Sequence, residues 1–470
     1  MIRLQEINFK YKNEETSNLI NINLNIKKGE CILICGGSGC GKTTLLRLIN
    51  KLVPTLYEGE LKGNVILDNE HTEDIPMYVL ADRVGSVFQN PKTQFFNVDT
   101  DSEIVFGLEN KGMSLQEMQN RLEKTCNDLK INNLLNKSIF KISGGEKQKI
   151  AFASVYAINP DIYVLDEPSS NLDYKSIDDL KQYISLLKSQ GKTIIIAEHR
   201  LFYLMDLINR SIYLKNGKIE KICSKEEFVN LSDDVRKEMG LRSIKGTNRL
   251  LQQKEKLQIN NKKILKLNNL SIYRGNRKII SNLNFEASMG DIIGLIAPNG
   301  TGKTSLLRTI SGLFNSYKGD ITWNDKKFEA KNRIRNSYMV MQDVNYQLFS
   351  ESVKSELKLG NPSIDCERIQ KILLQLNLEQ YADKHPNLLS GGQKQRLAIG
   401  VGIANNKLLF LLDEPTSGLD LENMLRVTEL IKQVSRDRVT IIATHDMEFA
   451  NLVCNKFIVL KKEGINEKFI

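Results

Sequence analysis

Nowhere in these 470 residues is there a run approaching the roughly 18 consecutive apolar positions that a membrane-spanning helix needs. If the protein acts on a membrane, other chains must cross the bilayer. The opening residues, Met1-Ile2-Arg3-Leu4-Gln5-Glu6, enter a strand-like pattern directly. No basic stretch leads into an apolar core there, so no secretory leader is expected. Low-complexity tracts are also missing, and the apolar fraction of 41% is that of an ordinary globular chain. The seven cysteines form no metal-ligand pairs. Cys31, Cys35 and Cys40 cluster, but their spacing fits no zinc template. An odd number without a framework points to a reducing cytosol and to small buried side chains.

The net charge of +10 first suggests nucleic acid or anionic lipid as a partner. Its location argues otherwise. The stretch from Arg236 to Lys263 holds nine basic and two acidic residues, leaving a net +3 for the rest of the chain. The excess sits in one connecting segment and not on a binding face.

What is present is a duplication. The run Gly36-Gly37-Ser38-Gly39-Cys40-Gly41-Lys42-Thr43 returns 261 residues later as Ala297-Pro298-Asn299-Gly300-Thr301-Gly302-Lys303-Thr304. Ile142-Ser143-Gly144-Gly145-Glu146 returns after 247 residues as Leu389-Ser390-Gly391-Gly392-Gln393. Tyr163-Val164-Leu165-Asp166-Glu167-Pro168 returns as Phe410-Leu411-Leu412-Asp413-Glu414-Pro415, and Ala197-Glu198-His199 as Ala443-Thr444-His445. Four motifs in one order at nearly constant offset define a repeated domain of about 220 residues. The expected organisation is a first domain over 1–231, a basic linker with the first domain's tail over 232–262, and a second domain over 263–470.

Each copy alternates short apolar runs with longer amphipathic segments. Residues 31–35 and 292–296 read as strands feeding the glycine loops, and 42–51 and 303–312 as the helices that follow. Residues 162–165 and 408–412 are apolar runs ending in acid, as buried parallel strands do. Leu115, Met118, Leu122 and Leu129 keep helical spacing in copy one, as do Ile369, Ile372 and Leu376 in copy two. The fold class is α/β: two tandem mixed-sheet cores, each with a helical insertion.

The glycine loops have the form that closes backbone N–H groups around phosphate oxygens at a helix N-terminus. Lys42 and Lys303 would reach the terminal phosphates. Thr43 and Thr304 would hold Mg²⁺, with Thr44 and Ser305 beside them on the nucleotide. Asp166 and Asp413 end buried strands, where a carboxylate can hold Mg²⁺. Glu167 and Glu414 come next, placed to act as general bases toward water. A helix-capping carboxylate is the bland alternative at these positions. His199 and His445 follow apolar strands at equivalent places, which raises a phosphate contact above the usual structural role of such a histidine. His71 and His385 have no equivalents and read as surface residues. Ser143-Gly144-Gly145 and Ser390-Gly391-Gly392 place a hydroxyl and bare N–H groups ahead of helical patterns. A simple cap explains one such site, not two in register.

With these motifs, both halves resemble the ATP-binding cassette superfamily, over nearly the whole chain outside the linker. The resemblance implies P-loop ATPase domains that pair head to tail within the chain, binding ATP and Mg²⁺. One site would combine Lys42, Glu167 and His199 with Ser390, Gly391, Gly392 and Gln393. The other would combine Lys303, Glu414 and His445 with Ser143, Gly144, Gly145 and Glu146. Phe88-Gln89-Asn90-Pro91-Lys92-Thr93-Gln94-Phe95-Phe96 and Met341-Gln342-Asp343-Val344-Asn345-Tyr346-Gln347-Leu348-Phe349 look like the glutamine segments of energy-coupling-factor importers. The family then implies that Gln89 and Gln342 sense Mg²⁺ and phosphate. It also implies a transmembrane coupling subunit, a membrane substrate-binding subunit, and a place on the cytoplasmic face of the cell membrane. Glu103 and Glu109 are candidates for contacts to basic residues of that partner.

Some positions depart from the family pattern. Ala297 replaces the first loop glycine, which is tolerated if that position avoids positive φ. The first signature ends in Glu146 instead of Gln. Tyr11 fits the adenine-stacking position, whereas in copy two Tyr273 falls one place early and Arg274 takes the expected place. One residue on a strand changes the face, so Tyr273 and Arg274 remain alternatives. Copy two ends soon after its last strand, near Leu460, without the usual C-terminal extension. The rival reading is a ribosome-associated ABC-F factor. Those have Asn-His before Leu-Asp, whereas this chain has Ser170-Asn171-Leu172-Asp173 and Ser417-Gly418-Leu419-Asp420. A DNA-repair ATPase would need a coiled-coil or zinc insertion that is absent, and no nucleic-acid partner is expected.

Overall fold

The computed structural model describes residues 2–12, 14–246 and 264–460. The chain divides into two compact units, Met1–Gly246 and Thr247–Ile470. No helix among the described residues is long and apolar enough to cross a membrane.

In the first unit the strands order as Lys218–Ser224, Arg210–Lys215, Cys31–Cys35, Thr193–Ala197, Ile162–Asp166 and Val84–Val87. All neighbours are parallel except the first pair. The three central strands are apolar apart from Asp166 and Thr193 at their ends, because helices or a second sheet cover both faces. One face meets an antiparallel sheet built on Ile2–Tyr11 through a core that includes Ile7, Phe9, Ile32, Ile34 and Leu45. The other packs on helices through Leu33, Ile150, Phe152, Tyr163 and Ile184. Parallel pairing puts the C-terminal ends of Cys31–Cys35, Ile162–Asp166 and Thr193–Ala197 side by side, the place where open α/β sheets bind ligands.

Helices Thr100–Asn110, Leu115–Asp128 and Gly144–Ile158 form the expected insertion. Its stripe differs in one respect: Leu115 is the first residue of its helix, beyond the reach of the core, and is exposed, while Met118 and Leu122 pack partly and Leu129 fully. Part of the expected linker is structured. Asp233–Glu238 is a helix, and Leu241 and Ile244 join the first unit's core. Buried Arg236 donates to Leu241 O at 2.5 Å and to Asp233 Oδ1 at 3.2 Å. The first unit therefore extends to Gly246; residues 247–262 of that expected linker lie outside the described residues.

The second unit repeats the plan with strand order Ser337–Val340, Leu409–Asp413, Val439–Thr444, Ile292–Ile296 and Lys456–Val459, all parallel. An antiparallel sheet on Leu265–Arg274 covers one face, and Cys366–Leu376 and Gly391–Asn405 belong to its helical insertion. The last strand, Lys456–Val459, ends beside Leu460 as expected, and residues 461–470, on which the expected lack of an extension bears, lie outside the described residues.

Five cysteines are buried as anticipated, whereas Cys366 is exposed and Cys454 half-buried. Among the described residues no group of side chains has the make-up of a metal cluster. His71 and His385 are exposed.

Candidate active sites

The first glycine loop leaves the strand Cys31–Cys35 and enters helix Lys42–Ile49. Gly36 has φ 149°, and a Cβ there would stand 2.2 Å from Leu214 O. No larger residue fits that turn. At exposed Gly39 a Cβ would meet nothing within 4 Å. Lys42 is buried, and its Nζ donates to Gly36 O at 3.0 Å and Gly37 O at 2.9 Å. The ammonium is thus folded under the loop, held by carbonyls that a phosphate can replace. Thr43 Oγ1 donates to Asp166 Oδ1 at 3.2 Å. Burial pushes the Asp166 carboxyl up to about 6, and the Glu167 charge adds to that.

Glu167 follows in the left-handed region at φ 43°, its N–H bonded to Ala197 O at 2.8 Å. This strained turn aims its carboxylate back over the loop. Gln89 Nε2 donates to Glu167 Oε2 at 2.6 Å, and His199 Nε2 lies 3.3 Å from Glu167 Oε1 and 3.3 Å from Lys42 Nζ. Burial alone would raise the Glu167 carboxyl, but His199, Lys42 and the Gln89 bond outweigh it and hold it below the usual range. One cluster therefore gathers Lys42, Thr43, Gln89, Asp166, Glu167 and His199.

The second unit gathers the same types with different bonds. Lys303 Nζ donates to Ala297 O at 2.7 Å and lies 3.3 Å from Glu414 Oε1. Ala297 avoids the positive φ that Gly36 adopts, which is why alanine is accommodated. Thr304 Oγ1 donates to Asp413 Oδ2 at 2.5 Å. Burial lifts Asp413 to about 6 against that bond. Glu414, again left-handed at φ 50°, meets His445 Nδ1 at 2.7 Å and accepts from Thr444 Oγ1 at 3.1 Å. Burial pushes this carboxyl upward, yet His445 and Lys303 overcome it and bring it down to about 2. Gln342 is exposed and, among the described residues, makes no bond to Glu414.

Ser143 and Ser390 cap the helices Gly144–Ile158 and Gly391–Asn405. Glu146 and Gln393 do equal work there, each accepting from its serine N–H at 2.8 Å in a reciprocal capping box. The Glu-for-Gln departure therefore leaves the helix start intact. Gly144 and Gly391 have open space where a side chain would stand, so both helix N-termini present bare backbone.

Tyr11 lies beside the helix of its own loop: its hydroxyl is 3.3 Å from Thr44 Oγ1 and accepts from Arg47 at 3.3 Å. The first strand of the second unit aligns with that of the first. Both first strands share the order of buried and exposed positions up to a left-handed residue, Glu6 and Asn269, and both bury the residues one and three places after it. Buried Phe9 matches buried Ile272, so Tyr11 matches Arg274 and Tyr273 matches Lys10. Tyr273 points to the other face, with Lys318 Nζ 6.0 Å from its ring centre. On this alignment Arg274, the alternative to Tyr273, takes the place in its strand that Tyr11 takes in the first unit.

The acidic partner contact also changes. Glu103 is buried and accepts from Phe96 N at 3.0 Å and Asn97 N at 2.8 Å. Glu356 does the same for Phe349 N and Ser350 N at 2.9 and 2.7 Å. Both are internal pins of the glutamine segments and offer no charge to a partner; Glu109 is exposed. What sequence reasoning missed is the set behind the histidines: Ser169, Glu198, Arg200, Thr416, Thr444 and Asp446, all buried. The mismatch between Glu198 and Thr444 inside otherwise repeated motifs was the available signal.

The family model described as ABC transporter matches residues 19–170 and 280–417, more than half of the chain. A Treponema denticola protein provisionally named an ABC transporter ATP-binding protein is 46% identical over 466 residues, covering 98% of this chain and 95% of its own. A Bacillus subtilis protein provisionally named an HMP/thiamine import ATP-binding protein is 29% identical, covering 99% of this chain and 90% of its own. Among solved structures, an archaeal ribosome recycling factor in complex with a ribosomal stalk protein matches with TM-score 0.68 at 21% identity, covering 97% of this chain and 88% of that one. At that identity the likeness is one of tandem fold alone.

Proposed function

We propose, from the premise that this chain belongs to the ABC transporter family, that it is the ATP-hydrolysing subunit of an energy-coupling-factor type importer. Its cargo class is a vitamin, a metal ion or another small nutrient. The observation that carries the ATPase part is the convergence, in each unit, of a buried lysine under a glycine loop, a Thr–Asp pair, and a Glu–His pair. The residues fit ATP with Mg²⁺. A side chain at Gly39 or Gly300 would meet nothing within 4 Å, and Lys42 is held by two loop carbonyls and His199, Lys303 by a carbonyl and a carboxylate, partners that a phosphate can displace. Asp166 and Asp413 are costly to ionise where they stand, which a divalent cation relieves. Mg²⁺, when bound, supplies charge neutralisation to the phosphates.

In this reading Lys42 and Lys303 bind the terminal phosphates. Glu167 and Glu414 take a proton from the attacking water. His199 and His445 orient the departing phosphate. The family resemblance pairs Ser390 to Gln393 with the first loop and Ser143 to Glu146 with the second, each pair sharing one ATP.

The import reading rests on the duplicated glutamine segments and on the relative named for HMP/thiamine import. Coupling to transport, a membrane partner and a peripheral place on the cytoplasmic face follow from it. Tagged chain, extracted in detergent from its own cells, should bring integral membrane proteins with it. Sedimentation with ribosomes and no membrane protein would replace this reading with the ribosome-associated one.

A further inference from the structure

The two histidine segments repeat except at the residue before the histidine, and the structure gives that residue two different jobs. In the first unit Glu198 is 2% exposed. Its Oε1 accepts from His199 N at 2.7 Å and Arg200 N at 3.0 Å. Its Oε2 accepts from Ser169 N at 3.2 Å and from the Tyr203 hydroxyl at 2.9 Å. Burial, with the Glu198 charge adding to it, raises the Tyr203 hydroxyl well above its ordinary range, so it stays a donor. Arg200 adds a second tie, donating to Leu172 O at 2.9 Å. The segment carrying His199 is thereby joined to the segment that leaves Glu167.

The second unit makes this joint with other residues. Thr444 donates to Glu414 Oε2 at 3.1 Å and accepts from Asp446 N at 3.0 Å. The link to the segment after Glu414 falls to Asp446, which accepts from Thr416 Oγ1 at 3.3 Å. A threonine hydroxyl can donate to the base carboxylate; an ionised glutamate can only accept. In the first unit the donor to the base is instead the Gln89 amide.

We propose that Glu198 is a positioning residue of the first ATP site, fixing His199 and the chain leaving Glu167 as one piece without touching nucleotide. The two sites then hold their histidines by different chemistry and are not interchangeable. This rests on the reading of Glu167 and His199 as hydrolytic residues.

Two measurements on the full chain test it with Glu198→Gln, which keeps the shape but turns an amide N–H₂ toward one pair of donors. In nucleotide-free protein, amide hydrogen exchange should quicken about tenfold or more over 168–173 and 198–203, and stay unchanged over 415–420 and 444–449. The kcat for ATP hydrolysis should fall about tenfold while KM for ATP stays within about twofold, since binding groups are untouched. Unchanged exchange overturns the proposal, as does quickening in both units alike, the mark of general destabilisation. An unchanged kcat, or a KM that rises in step, overturns it too. If Glu198→Gln does not fold, Glu198→Thr, which carries the second unit's own residue, is measured with the same expectations. Failure of the ATPase reading shows separately, as full activity in a chain lacking both Glu167 and Glu414 carboxylates; the exchange result then decides the tether alone.

Discussion

His445 Nδ1 and Glu414 Oε1 meet at 2.7 Å, with both side chains almost wholly out of solvent and Lys303 Nζ 3.3 Å from the same oxygen. The carboxylate therefore gains in the fold and loses in acid. Its pKa falls from 4.5 to about 2 on folding, so its contribution is full above about pH 4.5 and disappears as pH drops toward 2. At pH 4 the expected loss is about 1 kcal/mol relative to pH 7. Urea unfolding at both pH values should show Glu414→Gln losing less stability than wild type by about that amount. Equal losses would mean that the cluster does not stabilise the ionised form.

Asp166 and Asp413 have the opposite sign. Their folded pKa is raised from 3.8 to about 6 by burial. Protonation favours the fold fully below about pH 3.8, and that benefit is lost as pH rises through 6. At neutral pH each ionised carboxylate costs up to about 3 kcal/mol without a cation. Asp166→Asn should raise the melting temperature of the nucleotide-free chain at pH 7.5 and by about half as much at pH 5. The same variant should lose the stabilisation that Mg²⁺ with ATP gives the wild type. A melting temperature unaffected at both pH values would contradict this.

For the base-stacking residues, Tyr11→Ala and Arg274→Ala should each weaken nucleotide binding, about three- to tenfold, the size of a stacking or cation–π contact. Tyr273→Ala should change it less than twofold, because that ring faces away. Titration with a fluorescent ATP analogue reads all three. A large effect at Tyr273 with none at Arg274 would reverse the strand register drawn here.

The glutamine segments offer a stability test. Glu103 and Glu356 each accept two backbone N–H groups from inside the protein. Replacing either with Gln should cost about 1.5–3 kcal/mol, as for a buried hydrogen bond to a charged group. Exposed Glu109→Gln should cost less than about 0.5 kcal/mol. Similar small effects at all three positions, measured by denaturant unfolding, would show that the pins do not matter.

These cases also show what the sequence could reveal. The loops, the strand ends carrying Asp166, Glu167, Asp413 and Glu414, and the histidines were legible because each obeys a local rule of spacing and because every rule appears twice. The roles of Glu103 and Glu198 were not. Both are acidic residues whose partners are backbone N–H groups, and backbone donors leave no trace in residue identity. Tyr273 competes with Arg274 because an aromatic residue type stands one place before the position that aligning the two whole strands gives to Arg274. The helix stripe overreached at Leu115 because periodicity fixes a face but not where a helix meets its core.

The central claim is that Glu167 and Glu414 are the bases of two ATP sites. Steady-state ATP hydrolysis by the wild-type chain, Glu167→Gln, Glu414→Gln and the double variant tests it most directly. The double variant should be inactive, and loss of a base should cost about 10²- to 10⁴-fold at the site that carried it. A double variant that hydrolyses ATP at the wild-type rate would contradict the account.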